Sequence, residues 1–216
     1  MSEAGGLLPL FPLNTVLFPS MNLPLHVFEP RYRLMIGQCL ERRTPFGVVL
    51  IKEGEEVGGP AVPFDVGTTA RIVDVAREED GRMNIMTRGE RRFRILGVVQ
   101  TVPYLLGRVE ELPEPAGDGV VEVAAQVRKG MEVYVRLLLG LRGGWVRQVE
   151  LPRDPVLLSY FTAHFLQVEP RTVKQTLLEC ATARERLELE APLVAECTRR
   201  ARAALEQESP LRRRLN

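Results

Sequence analysis

PLFPLNTVLFPSMNLPLHVFEPRYRLM, residues 9–35, is the stretch on which the reading of the fold turns. Its apolar residues come in runs too short for a helix, and each run is cut by a proline. Proline lacks an N–H and sits at strand edges and turns. Leu8–Leu13 and Leu25–Phe28 therefore read as strands, and Pro12, Pro19 and Pro24 as residues that fix turns and strand edges. At Pro30 the pattern changes. Proline is at home in a first helical turn, where its missing donor costs nothing. Tyr32, Met35, Ile36, Cys39 and Leu40 then recur at helical spacing, an amphipathic stripe, and Pro45 ends the helix.

Outward from this stretch, the strand pattern continues to residue 111. Further strands are expected at Phe46–Lys52, Gly67–Glu78, Arg82–Gly89, Arg92–Gln100 and Leu105–Glu111. The clearest hairpin turns on Glu79-Asp80-Gly81, because Asp-Gly suits a turn that needs positive φ. Six or seven strands around one helix predict a small, closed or half-closed β-barrel-type domain.

Residues 113–118 of Pro113-Glu-Pro-Ala-Gly-Asp-Gly119 break that pattern. Beyond them Val120, Ala124, Val127, Met131, Tyr134, Leu138 and Leu141 step by four and three, a heptad-like seam along one helix. Asp154-Pro155 opens a second helix, with Asp as N-cap and Pro at N1. Pro170 opens a third. Thr182-Ala-Arg-Glu185 matches a capping box and starts a fourth, which Pro192 should kink or split. The expected fold class is α+β: residues 1–112 a β-rich domain, 113–118 a linker, 119–216 a helical bundle.

Bulk properties narrow the function. The 216 residues are 45% hydrophobic and 26% charged, with a net charge of +1, as in an ordinary globular protein. Neither half carries the basic excess that a phosphate backbone attracts, so nucleic acid is not an expected partner. Three scattered cysteines fit neither a disulfide framework nor a zinc site, and a reducing cytoplasm is the simplest setting. No apolar run is long enough for a membrane span.

Chemistry is hard to find. There is no Gly-Lys pair, hence no Walker A loop, and no GxSxG. The four serines, Ser2, Ser20, Ser159 and Ser209, lie in no nucleophile motif. His26 and His164 read as structural residues rather than bases. Glu53, Glu55 and Glu56, next to Gly58-Gly59, read as a solvated turn. Arg91, Arg92 and Arg94, with Arg88, make a small basic patch that could touch RNA or an acidic peptide, but the favoured reading is a charged outer strand face with Phe93 and Ile95 turned inward. No catalytic residue, metal ligand or cofactor is expected.

The strings Pro9-Leu-Phe-Pro-Leu-Asn-Thr-Val-Leu-Phe-Pro19 and Leu23-Pro-Leu-His-Val-Phe-Glu-Pro-Arg-Tyr32 resemble the opening signature of the Lon protease N-terminal domain family. Gly67-Thr-Thr-Ala-Arg-Ile72, Asp80-Gly-Arg82, Gly89 and Arg92-Phe93 are similar to its later strands. Asp154 to Leu166, Lys174-Gln-Thr-Leu-Leu178 and Arg184-Glu-Arg-Leu187 are similar to its helices. The resemblance covers nearly the whole chain. It implies a PUA-like β-domain followed by a helical bundle, acting as a non-enzymatic module that binds unfolded or tagged polypeptides: an adaptor, holdase or regulator of protein quality control. A cellular protease or chaperone is the further partner it implies. The chain ends at Asn216, where the family's proteases continue into an ATPase and a Ser–Lys protease, so a stand-alone member is expected. The alternative from the PUA-like resemblance is RNA binding.

Within the signature, Phe11, Val16, Phe18 and Phe28 read as core. Glu29 and Arg31 read as an ion pair pinning the start of the helix. For a peptide-binding surface the candidates are Phe28, Glu29, Arg31 and Tyr32, beside an apolar groove or sheet edge where an extended chain could add as a strand.

Overall fold

The structure is a computed structural model and describes residues 6–59, 61–144 and 148–212. It contains six strands and five helices among those residues: β1 Gly6–Leu13, β2 Asn22–Val27, α1 Pro30–Arg42, β3 Phe46–Gly54, β4 Ala61–Arg77, β5 Met83–Gln100, β6 Leu105–Glu111, α2 Val120–Leu141, α3 Pro155–Phe165, α4 Thr172–Glu179 and α5 Ala183–Arg212. The chain divides into two compact units. One runs to Pro113 and takes in Lys174–Glu179; the other is Glu114–Val173 with the residues from Cys180 onward.

In the first unit the strands form one mixed sheet in the order β2-β5-β4-β3-β1-β6, and β6 also pairs with β5. The pairings thus close a circuit, β1–β3–β4–β5–β6–β1, with β2 added outside it on β5. Only β1 and β3 run parallel; the intervening α1 supplies the crossover that parallel neighbours require. On one face of the sheet α1 packs over an apolar core of Phe11, Val27, Tyr32, Met35, Ile36, Phe46, Val48 and Ile85, among others, and a smaller core of Leu8, Leu10, Val49 and Phe93 lies on the other face. The buried face of α1, Tyr32, Met35, Ile36 and Cys39, is the predicted stripe. The Asp80-Gly81 hairpin is present: Gly81 has φ of 82°, and Asp80 Oδ1 accepts from the Arg82 N–H at 3.0 Å.

Two predicted strands, Arg82–Gly89 and Arg92–Gln100, are one continuous strand, β5. Gly89 is not a breaker. Its N–H donates to Met21 O (2.9 Å) and its carbonyl accepts from Ser20 N–H (2.8 Å). A Cβ there would lie 2.4 Å from the Phe18 carbonyl oxygen. Glycine is used because a neighbouring loop docks backbone to backbone.

Arg92 is a second departure. It is 2% exposed rather than part of an outer charged face. One Nη donates to Leu178 O (2.7 Å) and the other to Pro113 O (2.9 Å). Leu178 lies at the C-terminal end of α4, where unpaired carbonyls and the helix dipole favour a cation. Gln175 of the same helix donates to Val66 O at 3.0 Å. These contacts tie Lys174–Glu179 to the sheet and bury both faces of β5 at Arg92-Phe93.

In the second unit α2, α3 and α5 share an apolar core that includes Val127, Met131, Tyr134, Leu158, Leu187 and Val194. Asp154 caps α3 by accepting the Leu157 N–H at 2.9 Å. Thr182 Oγ1 accepts the Glu185 N–H (3.0 Å), and Glu185 reaches back to the Ala181 N–H (2.8 Å), a capping box shifted by one donor. The third helix begins at Thr172 rather than at Pro170. α5 runs through Pro192 without a break. Pro192 and Glu188, whose carbonyl loses its partner, both lie on the exposed face, so the orphan acceptor is open to solvent and the buried stripe is undisturbed. No helix among the described residues is long and apolar enough to cross a membrane.

Candidate functional site

β2 is the open edge of the sheet: among the described residues it pairs with β5 alone. Pro24 within it has no N–H to offer, which blunts the edge against continuous strand pairing. Beyond Val27 the chain passes Phe28, turns at Glu29 in an extended conformation and enters α1 at Pro30. Beside this turn lies a cavity of about 290 Å³.

Its floor is aromatic and aliphatic. Phe11, Leu13, Val27 and Tyr32 line it, and the Tyr32 ring stacks on Phe11 with centroids 4.0 Å apart. Its rim is open. Phe28 is 44% exposed and Val57, from the bend between β3 and β4, is 52% exposed. Phe28 is thus not a core residue, unlike Phe11, Val16 and Phe18: it follows the end of β2, where no strand or helix covers it. The His26 ring stacks on it at 5.8 Å, and His26 Nδ1 lies 2.7 Å from Asn84 Oδ1, a structural contact.

Glu29 and Arg31 form the expected pair. Arg31 Nε donates to Glu29 Oε2 at 3.1 Å, and an Nη lies 3.0 Å from the same oxygen. The pair does more than pin the helix. Arg31 Nη1 donates to Gly59 O (3.1 Å) and Glu29 Oε2 accepts the Gly58 N–H (3.3 Å), so together they hold the 55–59 bend over the cavity. The guanidinium also sits 4.5 Å from the Tyr32 ring centre. Glu56, read from sequence as part of a solvated turn, lines the cavity and accepts the Asn14 N–H at 3.0 Å. Burial raises the Tyr32 hydroxyl above its usual range; Arg31 opposes the shift, while Glu29 and Glu56 add to it. The phenol stays protonated.

Three of the four candidate residues, Phe28, Glu29 and Tyr32, therefore line one cavity, and Arg31 braces its wall. Leu25, of the same string, and Glu56 and Val57 join them. Sequence reasoning missed Glu56 and Val57 as site residues because they come from another segment, which only the fold brings beside this one.

A wider concavity of about 560 Å³ lies over β1, β4, β5 and β6. Its charges are mutually engaged: Arg71 Nε meets Glu90 Oε1 at 2.5 Å, and Arg91 meets Glu111 at 2.6 Å. Within the arginine cluster Arg92 is buried and Arg91 is paired, while Arg88 and Arg94 are exposed. Among the described residues no cluster of His, Cys, Asp or Glu could hold a metal.

A six-stranded mixed sheet with one helix inserted, followed by further helices, and a cavity beside its open edge define a mixed α and β chain. A solved Lon N-terminal domain protein from Xanthomonas campestris is similar over 85% of this chain and 95% of its own, with a TM-score of 0.63 and 28% identity. The N-terminal domain of the Mycobacterium avium complex Lon protease shares the fold at a TM-score of 0.62 and 22% identity. The Lon protease 2 of Myxococcus xanthus is 30% identical over 187 residues, and the Lon protease of Paraburkholderia phytofirmans 32% over 182. The chain covers 22% of the length of either. The family model for the ATP-dependent protease La (LON) substrate-binding domain matches residues 7–196, and the chain belongs to that family.

Proposed function

We propose that this protein is a polypeptide-recognition module and that the cavity beside β2 is where an extended segment docks. The observation that carries this reading is the cavity itself: aromatic floor, exposed apolar rim of Phe28 and Val57, and an adjoining sheet edge. A concave site with an aromatic and aliphatic lining and a few convergent polar groups is where ligands dock on proteins, and the family model matched here is that of a substrate-binding domain. Pro24 keeps the edge from templating strands indiscriminately, so side chains entering the cavity lead recognition and backbone pairing follows. In this reading the first unit is a PUA-like barrel with β2 as an outer strand, the linker spans 113–118, and residues 119–216 form a helical bundle. The setting is cytoplasmic. The occupants are unfolded or tagged polypeptides, delivered to or withheld from a cellular protease or chaperone, as an adaptor, holdase or regulator would do. The RNA alternative is the weaker reading, because Arg71 and Arg91 are paired with carboxylates and Arg92 is buried, which leaves only Arg88 and Arg94 of that cluster exposed and, among the described residues, without such a pair.

Titration of the protein into a labelled, permanently unfolded polypeptide, followed by anisotropy with single-stranded RNA as control, tests this. Saturable polypeptide binding is expected, weakened about fivefold or more by Phe28→Ala, the loss typical of an interface anchor. Binding to RNA alone, with steep salt dependence, would overturn it.

A further inference from the structure

The cavity is apolar below and acidic at one side. Glu29 and Glu56 line it together. Glu29 is held by Arg31 and by the Gly58 N–H through a single oxygen, Oε2. Glu56 likewise uses Oε2, for the Asn14 N–H. A carboxylate has about four lone-pair positions, so each retains acceptor capacity toward an occupant. The two carboxylates are balanced by one guanidinium, that of Arg31, which leaves this side of the cavity net negative. An all-apolar chain would strip water from Glu56 without returning a hydrogen bond, at a cost to binding. A cationic side chain next to the apolar one would keep it satisfied.

We infer that the cavity selects extended segments in which an aliphatic or aromatic residue, seated against Phe11 and Tyr32, is followed closely by a lysine or arginine that meets Glu56 and Glu29. The volume of about 290 Å³ holds one large side chain rather than several, so the anchor is single and the neighbouring charge contributes the discrimination. The same acidic side disfavours segments with Asp or Glu at that place, since like charges brought together cost affinity. This inference rests on the polypeptide-recognition reading and adds a sequence preference to it.

The test uses three unstructured labelled peptides of equal length. One carries a central Phe followed by Lys, one Phe followed by Glu, and one Ser followed by Lys. Each is titrated into the full chain by anisotropy at low and at moderate salt. The Phe-Lys peptide should bind about three- to fivefold more tightly than Phe-Glu, the range that one or two half-exposed ion pairs supply. That ratio should narrow with added salt and fall toward one in Glu56→Gln, which keeps an acceptor for Asn14. Ser-Lys should bind weakest. Equal affinity for Phe-Lys and Phe-Glu, or a ratio unchanged by Glu56→Gln, would overturn the preference while leaving polypeptide recognition standing. Failure of all three peptides to bind, with circular dichroism showing a folded protein, would overturn both.

Discussion

Glu190 shows how one residue sets a pH response. It is fully buried on α5, and its carboxylate makes no well-formed hydrogen bond to a side chain. Burial raises its pKa well above the usual carboxylate range, with Arg186 one turn away and the nearby Ala163 backbone opposing the shift. Arg186 is itself occupied, donating to Ser159 Oγ at 2.7 Å and lying 4.0 Å from the Tyr160 ring centre. The folded chain therefore binds a proton here more tightly than the unfolded chain does. Glu190's contribution is intact below the unfolded carboxylate pKa and is lost as pH rises through the raised folded value. Glu190→Gln should remove that loss. The variant should gain on the native protein between pH 5 and pH 8, by about 1–3 kcal/mol at the upper end, the scale for an uncompensated buried polar group. Urea midpoints across that range measure it, and a native protein whose stability climbs instead would refute the assignment. Glu190 was invisible to the sequence reading, which noted only the apolar stripe around it; a glutamate in a helix ordinarily faces water.

At the scale of elements, the strands and helices followed local signals wherever those signals were local in origin. The proline-cut runs, the Asp-Gly turn, the Asp154 cap and the Thr182 box are chemistry within a few residues, and each was legible. β5 was misread because Gly89 answers to a loop some 70 positions earlier in the chain, at Phe18 to Met21. Gly89→Ala should cost about 1–3 kcal/mol, the penalty of forcing a methyl into a packed site, read as a shift of the urea midpoint with an unchanged slope. Arg92 was misread for the same kind of reason, since strand alternation cannot reveal that a helix from much later in the chain covers the outer face. Arg92→Met should cost about 2 kcal/mol or more, because the carbonyls of Leu178 and Pro113 then stay buried without donors. An Arg92→Met protein as stable as the native one would show that water replaces the guanidinium.

At the scale of the whole molecule, each unit has its own apolar core, so amide exchange should show two protected sets of strands and helices. Adding a bound peptide should raise protection in β2, the first turn of α1 and the 55–59 bend, leaving α2 and α5 unchanged. Protection appearing instead at Leu96, Val98, Val99 and Val102, an exposed apolar cluster on the β5–β6 hairpin, would place the site there and not at the cavity. Three of the candidate residues were legible as a group because Phe28, Glu29 and Tyr32 are neighbours in one signature string; their partners Glu56 and Val57 were not. The order and type of the elements, the family, and the absence of familiar catalytic motifs were determined by the sequence alone, since propensity, capping and turn chemistry act within a few residues. Which arginine is buried, which phenylalanine is left open, and which carboxylates share a cavity were decided only by the tertiary structure, because burial depends on segments that meet across the sheet rather than along the chain.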